Sequence, residues 1–199
     1  MSIADKLNTI AENEQLVYRA GQKSEYDKFW DKFQNYGKTE NYNYAFSMGR
    51  FNDENYNPKY PIKCSSGTTS GRYMFYNASD ITDTKVEIIP YNDLSNAFSN
   101  SGIVTIRKLT VTEKITYSST FTETNDLVNI TFGGVIGQDI SFRYCSKLSD
   151  KSVDNIIEHL KNFNGTTGKT LTVHADVYSR MVADGRKVLV ENKNWVLKK

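Results

Sequence analysis

The chain has 199 residues, 38% of them hydrophobic and 24% charged, with a formal net charge of +2 at neutral pH. That length accommodates one moderate domain with an extension, and the balance excludes a disordered chain. So small a charge, with no Lys/Arg cluster on a predicted helix, excludes nucleic acid as the expected partner. No stretch approaches the ~20 apolar residues of a membrane span, so no membrane insertion is expected.

The N-terminal stretch carries Asp5 almost at once and no apolar run that would make a secretory signal. The expectation is a protein held in the cytoplasm of its producing cell until lysis. Residues 1–35 read as a helical segment. Ser2 and Asp5 resemble a capping box, with Asp in the place usually taken by Glu. Ile3, Leu7, Ile10 and Val17 then follow the spacing of a heptad seam, with Glu14 in the vacant core position. This narrow stripe predicts an oligomer, a homotrimer first. The competing reading packs the stripe on the chain's own body or on another structural protein. After Gly21, the residues Tyr26, Phe29, Trp30 and Phe33 recur at helical spacing between charges, as an aromatic stripe that would cap the body to come.

Residues 36–72 are polar and rich in Asn and Tyr. Asn57-Pro58 and Tyr60-Pro61 mark turns, and the run from Ser65 to Gly71 is a Gly/Ser/Thr loop without the Gly-Lys-Ser/Thr of a phosphate cradle. Tyr44-Ala45-Phe46-Ser47 echoes Asn96-Ala97-Phe98-Ser99, which suggests a degenerate first repeat here. From 73 to 148 the Phe-centred phrases recur, and Phe75, Phe98, Phe121 and Phe142 are 23, 23 and 21 residues apart. An aliphatic residue follows each: Ile81, Ile103, Leu127 and Leu148. A period in the low twenties is that of a leucine-rich repeat, whose units stack their apolar residues on one another. These eight positions are expected to be buried. The β-branched runs beginning at Ile103 and Leu127 read as strands.

Residues 149–199 read as a closing piece. Ser149 begins a helix with Val153, Ile156, Ile157 and Leu160 on one face; Lys169–Val173 is a strand, and the tail around Trp195 another. The predicted class is therefore α+β: an N-terminal helix, a short irregular leucine-rich-repeat-like β-solenoid, and a C-terminal capping helix with strands.

Nothing in the sequence assembles a catalytic site, a cofactor site or a metal site. His159 and His174 have no Cys or second His nearby, and Gly133-Gly134-Val135-Ile136-Gly137 follows a strand without opening a helix. Asn52-Asp53-Glu54-Asn55 lacks the alternating ligands of a calcium loop. Cys64 and Cys145 have no metal-ligand spacing; two buried thiols are expected, with a disulfide the alternative. The abundant aromatic residues either fill a flat core or, for Tyr, form a contact surface.

Several segments carry a resemblance. Ile10–Glu14, Ser24–Asp31, Asn43–Phe46, Asn55–Ile62, Thr105–Leu109, Leu127–Phe132 and Gly134–Gln138 look like proteins encoded in phages and prophages of Gram-positive gut bacteria. The repeats resemble bacterial surface-antigen leucine-rich repeats, which mediate adhesion. The resemblance covers nearly the whole chain and carries no site residues with it. It implies a virion structural protein of the tail, fibre or baseplate type. Its partners would be other virion proteins and a protein or glycan of the host surface, and its location the virion. The alternative is an intracellular protein-binding module of a phage, such as an inhibitor of host defence. A glycan-degrading enzyme would need two facing carboxylates, for which the sequence gives no positive sign.

Overall fold

The computed structural model describes residues 45–49, 51–58, 60–64, 71–166 and 168–199. The N-terminal helical segment, its aromatic stripe and the seam residues Ile3, Leu7, Ile10 and Val17 lie outside them.

Two small parallel sheets and three helices make up the described chain. The first sheet has the order β1 (Ile62–Lys63), β2 (Glu87–Ile89), β3 (Thr105–Val111) and β4 (Asn129–Gly134). Its register lines up Ile62, Ile88, Leu109 and Phe132 as one row, all buried. The second sheet is β5 (Ile140–Phe142), β6 (Thr170–Val173) and β7 (Val196–Lys198), with Ile140, Leu171 and Leu197 in one buried row. Parallel neighbours need long connections, and the stretches between these strands supply them.

Those connections hold the Phe phrases at Phe75, Phe98 and Phe121, and Phe142 ends β5 itself. The rings of Phe75 and Phe98 stack at 5.4 Å between centroids, Phe98 and Phe121 at 5.6 Å, and Phe121 and Phe142 at 4.6 Å. Phe46 continues the column at 5.1 Å from Phe75. Backbone bonds run alongside: the amide of Phe75 donates to the Ala97 carbonyl at 2.7 Å, and that of Phe98 to Thr120 at 3.0 Å. All eight positions expected in the core are buried.

Helix α1 (Asp150–His159) begins where Ser149 accepts a hydrogen bond from the Ser152 amide at 3.3 Å. Its buried face of Val153, Ile156 and Ile157 packs beside β4. Two polar side chains of the same helix satisfy the outer edge of that strand. Ser152 Oγ accepts from the Ile130 amide at 3.0 Å, and Asn155 Oδ1 accepts from the Phe132 amide at 2.6 Å. An open edge would template further pairing; here a helix takes the place of the next strand. At the other end of α1 the Lys193 ammonium donates to the carbonyls of Ile157, Glu158 and Leu160 at 2.7, 2.7 and 3.0 Å. Helices α2 (Ala175–Ala183) and α3 (Arg186–Glu191) follow, separated by Gly185 at φ 83°. A Cβ there would meet nothing within 4 Å, so the left-handed backbone alone favours glycine.

This architecture corrects the predicted class. The chain is α/β rather than α+β, because every strand pairing in both sheets is parallel. A single leucine-rich-type β-solenoid closed by a helix-and-strand cap is not what forms. The sheet ends at β4, where α1 side chains occupy its edge, and β5 pairs with β6 in a separate sheet.

Candidate functional site

A groove of about 430 Å³ runs between the turn at Thr116, Tyr117, Ser118 and Ser119 and the outward face of the second sheet. Alternation along short strands builds the sheet side of it. Ile140 and Leu171 point into the core, so Ser141, Thr170 and Thr172 point out, with Ser141 registered against Thr172. At the mouth of β6, Asp139 Oδ1 accepts the Thr170 amide at 2.6 Å, while the other carboxylate oxygen has no hydrogen bond among the described residues. Gln138 lines the same end and donates from Nε2 to the Glu113 carbonyl at 3.2 Å. The turn side is held by the Thr116 amide on the Asn92 carbonyl at 3.0 Å and by Ser119 at φ 54°.

Tyr117 is the unusual member of this lining. Its side chain is 4% exposed, and its hydroxyl is buried without a hydrogen-bond partner among the described residues. Burial alone pushes its phenol pKa well above the ordinary value. An orphaned buried hydroxyl costs about 1–3 kcal/mol. The groove is thus rich in hydroxyl groups, carries one carboxylate and one amide, and has no Lys or Arg in its lining.

A second cleft of about 360 Å³ lies between β3, β4 and α1, with Arg107 and Lys151 on its wall. Arg107 is already engaged: Nη2 and Nε meet Asp83 at 2.5 and 2.9 Å, so its charge is neutralised in place. This cleft is the polar gap left where helix side chains replace a strand.

The residues considered for chemistry in the sequence are placed as follows. His159 Nδ1 lies 2.9 Å from the Asn155 carbonyl, and His174 caps α2 by accepting the Asp176 amide at 3.2 Å. Cys64 and Cys145 are both buried and free, and burial pushes each thiol up to about 12. The Asn52–Asn55 run closes on itself as a turn, with Asn52 Oδ1 accepting the amides of Glu54 and Asn55 at 3.1 Å each. Asp53 instead reaches across to the Thr82 amide at 2.9 Å. Among the described residues no cluster of three or more His, Cys, Asp or Glu could hold a metal ion. In the glycine run, a Cβ on Gly134, at φ 80°, would sit 2.0 Å from the Val111 carbonyl oxygen. Close strand approach, not phosphate binding, is what that glycine serves. Tyr60, Tyr91 and Tyr144 are exposed, whereas Tyr56 and Tyr117 are buried, so the tyrosines divide between surface and core.

The groove residues were not singled out in the sequence. Parallel pairing sets Ser141 against Thr172, far apart in the chain, and the Thr116 turn lines the same groove; only the outward alternation of Ile140-Ser141-Phe142 and Thr170-Leu171-Thr172 hints at a shared face. Among the described residues no helix is long and apolar enough to cross a membrane. No family model matches the chain, and neither a curated protein nor a solved structure shows significant similarity to it.

Proposed function

We propose that this chain is a phage virion structural protein of the tail, fibre or baseplate type, and that its body presents a surface for adhesion to a host ligand. The resemblance of its segments to phage-encoded proteins motivates the reading. The observation that carries it is the stacked aromatic column, which sets successive connections rigidly side by side and leaves an outward, hydroxyl-lined groove at one end. Rigid scaffolds bind through what they display on their surface. The reading assigns the chain no catalytic step and no cofactor. Mass spectrometry of purified virions tests it, with the expected result that the protein is present in intact particles at constant stoichiometry. Absence from intact particles would sink the proposal. Recovery from infected cells with one stoichiometric host protein, and not from virions, would replace it with an intracellular binding module.

A further inference from the structure

We infer that Asn164 is a site of spontaneous covalent modification, where its side-chain amide is lost to give aspartate and isoaspartate. The inference goes beyond the virion reading and does not rest on it. Asn164-Gly165 is the single Asn-Gly pair of the sequence, and it lies between α1 and β6. Both residues have positive φ, 35° and 81°, as the central pair of a tight turn. The Thr166 amide closes that turn on the Phe163 carbonyl at 2.8 Å, and the Thr166 hydroxyl donates to the same oxygen at 2.7 Å. The Asn164 backbone amide donates to Asn162 Oδ1 at 3.1 Å. None of these bonds ties up the atoms that react. Asn164 and Gly165 are exposed, and neither the Asn164 carboxamide nor the Gly165 N–H has a hydrogen bond among the described residues. A Cβ on Gly165 would meet nothing within 4 Å, so the peptide has room to turn toward the side chain.

The step balances with water as its one co-reactant. The Gly165 nitrogen gives up its proton to base and bonds to Asn164 Cγ. The bond from Cγ to Nδ2 breaks, and that nitrogen takes a proton and leaves as ammonia. The five-membered imide then takes up one water. Opening at Cγ restores the main chain with aspartate, whereas opening at the Asn164 main-chain carbonyl routes the chain through Cγ as isoaspartate. Other asparagines in left-handed backbone lack this combination. Asn77 Oδ1 accepts from Asn100 Nδ2 at 2.8 Å, which engages both carboxamides. Asn96 and Asn194 precede Ala97 and the buried Trp195, whose side chains crowd the attacking nitrogen. Either product adds one negative charge to the turn, and isoaspartate also lengthens it by one methylene beside the Phe163–Trp195 contact.

The test incubates the folded full chain at mildly alkaline and at mildly acidic pH. Ion exchange and peptide mapping follow it, with isoaspartate read by enzymatic methyl labelling. A species more acidic by one charge should accumulate, faster in alkali because the attacking nitrogen must first lose its proton. Both products should map to Asn164. Asn164→Asp should elute with the new species from the start. Asn164→Gln should not form it, since its longer side chain closes a six-membered ring far more slowly. Gly165→Ala keeps the asparagine and should slow the gain by about tenfold, because a methyl group then hinders the nitrogen. The parent's own map decides the question if either variant fails to fold. An unchanged charge profile in alkali, a gain that maps to another asparagine, or an equal rate in folded Gly165→Ala would overturn the inference.

Discussion

Phe121 lies between two aromatic neighbours, nearly parallel to Phe98 at 1° and tilted 22° from Phe142. Truncating it opens the middle of the column, where neither flanking ring can close the gap without losing its own backbone register. Phe121→Ala should therefore cost about 3–5 kcal/mol, measured by urea denaturation. A nearly neutral result would mean that the column contributes little. The turns that hold the rings store a different kind of energy. The residue two places before the ring has a positive φ in Tyr73, Asn96 and Ser119, and so does the residue two places after it in Asn77, Asn100 and Glu123. Asparagine tolerates this region; glutamate does not, and Glu123 sits there at φ 56° with an exposed side chain. Glu123→Asn should raise stability by about 0.5–1 kcal/mol, visible as a higher urea midpoint with an unchanged slope.

Arg186, at the start of α3, ties the helices together. Its Nε meets Asp154 of α1 at 2.6 Å, and Asp184 and Asp150 flank the same guanidinium. The hydrogen bond from Arg186, aided by its charge, holds the Asp154 carboxyl below the usual carboxylate range, against a smaller opposing effect of desolvation. A carboxylate whose folded pKa is depressed stabilises the fold above its unfolded pKa and loses that contribution as the pH falls through the folded value. Asp154→Asn should thus destabilise the protein at pH 7 by about 0.5–1 kcal/mol, a modest figure because the Asp154 side chain is largely exposed. Parent and variant should converge well below about pH 4. Denaturant titrations at the two pH values check this, and a gap that persists in acid would assign the effect to packing. At this scale the sequence is uneven in what it reveals. Ser149 announces α1 because a capping serine precedes a clear apolar face, and the Phe period marks the core because identical rings return at nearly constant spacing. The class is misread because β1 and β2 are too short to show alternation, and nothing local says that Ser152 and Asn155 end a sheet. Helices α2 and α3 bury only Val177, Met181 and Val190 and expose Val182, Val188 and Leu189, so their apolar residues do not mark one clear face. The groove is least legible of all, being made by pairing across long separations.

One core runs through the whole described body, from Ala45 to Leu197, and joins the two sheets where Phe132 of β4 meets Phe142 of β5 at 6.4 Å between ring centroids. A single rigid body of this kind gains avidity on a surface when several copies are displayed together, since each further contact becomes intramolecular. The seam read in the sequence at Ile3, Leu7, Ile10 and Val17 would provide that display as a homotrimer. It spans fewer than three heptads and includes Glu14, so the association should be weak and depend on concentration. Light scattering across a concentration series should show the full chain rising above the mass of one chain, while a chain starting at Ser24 stays at that mass. Replacing Leu7 and Ile10 with Asp should reproduce the shorter chain's behaviour without changing its melting temperature, the outcome expected of residues that serve association alone. If the full chain and the shorter chain both keep the mass of one chain at high concentration, the stripe packs on the body or on another structural protein, and multivalent display must come from that partner.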